Sequence, residues 1–477
     1  MLFYPKKKKN IFLTIIVLLL ISGFISAQED INDLKFGHSP VSNSDTSKAA
    51  FVDWAKDNAF NIGTIEPGSG FDDLQSLRKA IGNARVVCLG ETRHDIHEQF
   101  RLKHRIIEFL VKEMDFSVFA MEESLPYGDK INKYVLGGGS DPEVLLNNMG
   151  NWYVWDTKEV LALIKWMRKY NSNQSHEKKV EFYGIDITDP IPAIQNTLLY
   201  LEKVDTKLAD ILKNKLEKVQ LLNTKVRSES EIMERYKSLS DKEVANLDEF
   251  ISRFYSDFKN NRSKYISRSS KSEFEWMLRQ IHSIMVSHDQ YNIRRTGTRE
   301  EVFKDGAFQR DKGMADNVLW LLKQGGETRR IILWAHNFHI ARNPLDMIGN
   351  TRMPSTKGFV PLGYHLSEAI GDELYSIGFS FYKSNYKGLQ SAEEDMIDAA
   401  FKMVDRQMFF IDLKSSPKKG PVFEWLNQKH KMTGGGIGER IVAMLYPIKT
   451  YDAIIFINTI TQTVMSPFSL ERISKLR

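Results

Sequence analysis

The strongest constraint on the fold of this chain is a set of short, uninterrupted apolar runs, each followed by an amphipathic stretch and each stopping at ionisable residues. Arg85–Leu89 ends in Gly90-Glu91-Thr92-Arg93-His94, Phe116–Met121 in Glu122-Glu123, Val180–Tyr183 in Gly184-Ile185-Asp186, and Arg330–Trp334 in Ala335-His336-Asn337-Phe338-His339. Runs this short and this apolar read as strands buried on both faces. Alternating with the helical patterns of Phe71–Ile81, Ile96–Met114, Thr157–Tyr170 and Arg310–Leu322, they imply βαβ units. The expected fold class is therefore α/β, a mainly parallel central sheet flanked by helices. Leu374–Phe381 and Ala453–Ile460 add two further strands.

A parallel sheet brings the carboxyl ends of its strands to one edge, where ligands bind. If the four runs are neighbours, Glu91, His94, Glu122, Asp186, His336 and His339 converge on one pocket. These residue types suit hydrolysis. A carboxylate beside a histidine fixes its tautomer and raises its basicity, so His94 held by Glu91 could take a proton from water. The bland alternative makes Glu91 a helix cap and His94 a first-turn residue. His336 and His339 could polarise a carbonyl, protonate a leaving oxygen or bind a metal. Strand alternation sends one of Glu122 and Glu123 toward the pocket, and Glu122 is expected there. The chain has no G-x-S-x-G nucleophile elbow and no H-E-x-x-H zinc motif.

The alternation is interrupted. From Ala193 to Arg295 the sequence is charged, amphipathic and without glycine, which reads as an all-helical insertion of three to five helices. The expected organisation is a signal peptide (1–27), a lead-in (28–48), a first α/β part (49–190), the insertion (191–298) and a second α/β part (299–477). The insertion is either a packing module or a lid or wall over the pocket. The glycine run Gly434-Gly435-Gly436 with Gly438 lacks nucleotide-loop spacing and reads as a loop before a helix.

At the N-terminus, Lys6–Lys9, the apolar Ile11–Ile21 and Ile25-Ser26-Ala27 form a secretory signal with cleavage before Gln28; an uncleaved anchor is the alternative. Export to the periplasm or medium is expected, with no membrane association after cleavage. The leader carries four lysines and no acid, so its removal takes the net charge from +5 to +1. The basic balance thus gives no reason to expect nucleic acid as a partner. Cys88 is the only cysteine and sits mid-strand, so a disulfide is excluded and an inert buried thiol is expected.

The ordered motifs Gly90–His94, Glu98–Lys103, Phe119–Glu122, Trp152–Trp155, Val160–Leu163, Tyr183–Asp186, Arg310–Asn317, Trp334–His339, Tyr375–Phe379 and Tyr451–Phe456 resemble those of the erythromycin esterase family, across roughly 71 to 460. The resemblance implies an α/β fold with a helical insertion and metal-free hydrolysis of a macrolide lactone or similar small-molecule ester, with no cofactor. By position, His94 matches the family's general base and Glu91, Glu122, His336 and His339 the residues around it. Lys103, Trp152, Trp155, Asp186 and Arg310 are expected on the substrate side. Members commonly have glycine after the first histidine. Here Asp95 and a nearby His97 stand instead, an acid and an imidazole that could alter substrate choice or favour a metal held by His94, His97, His336 and His339. Two readings thus stand beside the metal-free esterase: a divalent-metal hydrolase, and a non-catalytic binder of a glycan or macrocycle.

Overall fold

A computed structural model describes residues 45–148, 153–218, 229–348, 355–386, 389–434 and 441–475. The expected leader, the lead-in to residue 44, Trp152, Gly435, Gly436 and Gly438 lie outside the described residues.

The molecule is built on an eight-stranded, mainly parallel sheet. Its strands are β1 (Phe60–Asn61), β2 (Val86–Leu89), β3 (Val118–Ser124), β4 (Glu181–Asp186), β5 (Ile331–Trp334), β8 (Leu374–Ser384), β9 (Met408–Asp412) and β12 (Ala453–Ile460). The order is β1-β9-β12-β8-β2-β5-β3-β4, and only β9 runs against the rest, antiparallel to both β1 and β12. The apolar runs are continuous because both faces are covered. Val87, Leu89, Phe119 and Met121 enter one layer, Val86, Cys88, Val118 and Ala120 the other. Burial pushes the Cys88 thiol far up, which leaves it inert.

Register decides where the chemistry lands. Leu89 and Met121 both lie opposite Trp334, and Met121 lies opposite Gly184. The residues just beyond this row therefore share one edge of the sheet. Two close approaches there require glycine. A Cβ on Gly90 would fall 2.1 Å from Asn337 Oδ1, and one on Gly184 would fall 2.2 Å from the Ser124 carbonyl. At the first contact Asn337 bonds through its side chain to both the N–H and the carbonyl of Phe379, stitching the β5 turn to β8.

Some elements differ from the sequence reading. β3 runs three residues further than expected, so Glu122 and Glu123 belong to the strand rather than following it. Phe71–Ile81 is not one helix but a 3₁₀ turn (Asp72–Leu74) leading into a helix (Gln75–Ile81). The described residues after the glycine run enter a strand, not a helix. A second, antiparallel sheet of order β10-β11-β6-β7 comprises β6 (Leu345–Ile348), β7 (Thr356–Phe359), β10 (His430–Gly434) and β11 (Ile441–Leu445).

Within the expected insertion, 191–298, the described residues form helices at Ile191–Val204, Thr206–Lys218, Glu229–Ser238, Asp241–Asn260, Arg262–Arg268 and Lys271–Thr296, one more than the upper expectation. They share an apolar cluster of their own, including Leu201, Ile232, Leu247, Phe258, Phe274 and Ile281. Ser240 and Glu243 form a reciprocal capping box that starts the fourth of them. No helix among the described residues is long and apolar enough to cross a membrane.

Candidate active site

The segment from Gly90 to Ile96 leaves β2 and runs along the sheet edge before the helix His97–Met114 begins. Glu91 is therefore not that helix's cap: the cap position is Ile96, with no side-chain bond. Instead Glu91 is a buried hub. Its Oε1 lies 2.5 Å from His94 Nδ1; its Oε2 accepts from Trp334 Nε1 at 2.8 Å and from Lys103 Nζ. Burial would push this carboxyl up, but Lys103 and His94 outweigh it and hold it below its ordinary range. An ionised Glu91 accepts the Nδ1 proton, which makes Nε2 the basic nitrogen of His94.

His94 is enclosed by rings. Trp155 meets it edge-on at 5.2 Å and His336 at 5.4 Å. Trp155 is 1% exposed and donates from its indole to the Glu122 carbonyl, so it backs His94 and offers no face to substrate here.

Beyond His336 lies a charged network centred on Arg310. Its guanidinium donates to Glu122 Oε1 at 2.8 Å and to Asp186 Oδ2 at 2.8 Å, and its Nε reaches Thr188 Oγ1 at 3.1 Å. Asp186 also accepts from the Ile187 and Thr188 backbone and the Thr188 hydroxyl, which makes it an anchor for Arg310. Glu122 Oε2 accepts the His336 backbone N–H at 2.9 Å. Burial opposes the charge on Glu122, yet His339, His94 and Arg310 hold its carboxyl well below the usual range. Glu123, on the opposite side of the strand, accepts only from the Ser124 N–H and is pushed well up by burial. Of the two, Glu122 is the one that joins the site, as the strand's alternation requires.

The two histidines of the β5 turn differ in kind. Both nitrogens of His336 are engaged with backbone: Nε2 donates to the Thr92 carbonyl and Nδ1 accepts from the Phe338 N–H. Burial, with His94 and His339 nearby, lowers it to about 3, so it is neutral. It is not placed to protonate a leaving group or polarise a carbonyl. Burial also pushes His339 down, but Asp311 (Nδ1–Oδ1 2.7 Å) and Glu122 (Nε2–Oε1 3.3 Å) outweigh it and raise it to about 10. As an imidazolium its Nε2–H points to Glu122. Arg310 Nη1 lies 3.0 Å from the same nitrogen, while its Nη2 and Nε are bonded to Glu122 and Asp186.

The six residues expected at one edge thus form a connected set, from Glu91 and His94 through His336 to His339, Glu122, Arg310 and Asp186. Beyond Trp155 and His336, three more expectations change. Lys103 has no exposure and lies 3.6 Å from the Trp334 ring centroid, so it supports Glu91 and does not meet substrate. His97 pairs with Glu159 at 2.6 Å, on the helix Lys158–Ser172. Asp95 pairs with Arg93 at 2.6 Å. Among the described residues, no group of three or more His, Cys, Asp and Glu side chains is arranged to hold a metal ion. Sequence reading missed Asp311 and Trp334. Asp311 adjoins Arg310 in a quoted motif, and an indole at the end of a buried strand needs an acceptor; both signals were present.

Comparison with known proteins bears on the fold and the family. The erythromycin esterase family model matches residues 111–460. Erythromycin esterase type II of Escherichia coli is 28% identical over 353 residues, 71% of this chain and 79% of that one. Among solved structures, a protein from Bacillus cereus shares the fold at TM-score 0.72 and 24% identity, covering 88% of this chain and 99% of that one. A mutant of the erythromycin esterase EreC in its open conformation does so at TM-score 0.66 and 15% identity, covering 85% and 97%. The matched span holds Glu122, Asp186, Arg310, His336 and His339, and with it the greater part of the sheet that orders them: the chain belongs to the erythromycin esterase family, a family of hydrolases.

Proposed function

We propose that this protein is an exported hydrolase that opens a carboxylic ester, most simply a cyclic one such as a macrolide lactone, with water activated by His94. The observation that carries the reading is the Glu91–His94 contact of 2.5 Å, set on a carboxylate that Lys103 and Trp334 hold in place. In this reading His94 Nε2 takes a proton from water as the oxygen attacks the ester carbon, and the resulting imidazolium returns it to the leaving alkoxide. Arg310 and His339, the cations of the network, stabilise the oxyanion. Glu122 orients both. His336, neutral and fully engaged, fixes the turn that carries His339. No serine or cysteine need form a covalent intermediate.

The direct test is incubation with erythromycin and with p-nitrophenyl acetate, read by mass spectrometry for a gain of water. His94→Ala should lose about 10²- to 10⁴-fold in kcat while the far-ultraviolet circular dichroism is unchanged. Near-native turnover in that variant would remove His94 from the chemistry. Stoichiometric metal in the purified protein, with activity lost to a chelator, would favour the divalent-metal route. Tight binding without product would favour a non-catalytic binder. Export is tested by the N-terminus of the protein recovered outside the cytoplasm, expected at Gln28.

A further inference from the structure

The two residues that flank His94 are fastened to a segment 290 residues away in sequence, and the proposed chemistry makes no use of them. Asp95 has no exposure, and its Oδ1 accepts from Arg93 Nε at 2.6 Å. Its Oδ2 accepts from the Tyr386 hydroxyl at 2.5 Å and from Arg93 Nη2 at 3.3 Å. Arg93 Nη2 donates in turn to the Tyr386 oxygen at 3.2 Å, and the guanidinium lies 4.8 Å from the tyrosine ring centroid. Three polar groups therefore close a ring of hydrogen bonds around the backbone that carries His94.

Topology explains how Tyr386 reaches there. β2 stops at Leu89, opposite Ile377, while the neighbouring β8 continues to Ser384. The Gly90 N–H still bonds the Ile377 carbonyl, and the overhang carries the chain on past the end of β2. Tyr386 sits two residues past its end. It is braced by its own N–H on Ser384 Oγ and by the Asn385 N–H on the Ile460 carbonyl. The segment is also tied to the residues that follow β12: the Asp95 carbonyl accepts from the Thr463 N–H, and the His97 N–H donates to the Thr461 carbonyl. His94 is thus suspended between two strand ends, with its ring steered by Glu91.

We propose that Tyr386, acting through Asp95 and Arg93, is a positioning residue for His94: it holds the backbone on both sides of the base so that the imidazole stays aligned on the reacting ester. This rests on His94 being the base. The role differs from packing, because displacing a base by a fraction of a bond length lowers turnover without altering how substrate binds. Tyr386→Phe keeps the ring over Arg93 and removes only the hydroxyl.

The test uses the full-length mature protein and two readouts. With p-nitrophenyl acetate, Tyr386→Phe should lower kcat by about tenfold or more and leave KM within about twofold. In a His94→Ala background the same change should have no further effect. Independently of any substrate, carbethoxylation of His94 by diethyl pyrocarbonate, read by peptide mass spectrometry, should be several-fold faster in Tyr386→Phe than in the native protein. Asp95→Asn, which strands the buried Arg93 charge as well as weakening the tie to Tyr386, should give at least as large a change in both readouts. Unchanged kcat with an unchanged modification rate would overturn the proposal. So would a Tyr386→Phe loss that persists in full without His94. If His94→Ala itself turns over normally, the assignment of His94 as base fails and this inference with it, whereas a silent Tyr386→Phe beside a dead His94→Ala defeats only this inference.

Discussion

Lys103 and Glu91 form an ion pair in which neither side chain has any exposure, and the carboxylate of that pair is the one that holds His94. Removing one partner of a buried pair strands the other charge. Lys103→Met should therefore cost about 3–5 kcal/mol in urea unfolding. Lys103→Arg should fail to restore activity, because a larger guanidinium must enter a fully buried site filled by an ammonium. A Lys103→Met protein as stable as the native one would show that Glu91 does not depend on its partner.

Arg310 serves two carboxylates with a geometry that an ammonium cannot copy. Arg310→Lys should fold, yet lose about 10²- to 10³-fold in kcat/KM for a cleaved ester. A loss under tenfold would take Arg310 out of oxyanion stabilisation.

His339 carries a pH dependence of definite sign. Its folded value, near 10, lies above the ordinary 6.5 because Asp311 and Glu122 favour the imidazolium. Its contribution to stability is full below about 6.5 and is lost as pH rises from there through about 10. The unfolding midpoint should fall across that window, and His339→Asn should flatten the fall. An identical slope in the variant would mean that His339 is neutral in the folded protein.

Gly184 faces the Ser124 carbonyl, and a Cβ there would lie 2.2 Å from the oxygen. Neither backbone can yield without moving β3 against β4. Gly184→Ala should cost about 3 kcal/mol or more. It should also shift Asp186, two residues on, and so lower turnover in whatever protein remains folded. A melting temperature within a degree of native would refute the contact.

What the sequence made legible was set by burial. β2, β3, β4 and β5 are covered on both faces, so each wrote an apolar run, and His94, Glu122, Asp186, His336 and His339 follow directly from where those runs stop. The second sheet left no such mark: Asp346, Lys357 and Lys431 interrupt three of its strands, and β11 pairs with β6 almost a hundred residues earlier. Three charged or polar residues, Glu122 to Ser124, hid the end of β3. The role of Lys103 was equally hidden, since lysine is ordinarily a surface residue and nothing local announces a buried one. That His336 is spent on backbone while His339 is free to carry charge depends on Thr92, Phe338 and Asp311, partners that spacing alone does not reveal.

In the sheet β5 lies between β2 and β3, although more than 200 residues of chain separate it from either. The consequence is one of timing. While the polypeptide is being synthesised, the edge strands of the first half wait beside a gap that no earlier segment can fill. The pocket cannot be completed before the stretch around Trp334 is delivered. Long-range closures of this kind are slow, so the nascent protein passes through an extended interval in which it has helices but no competent centre.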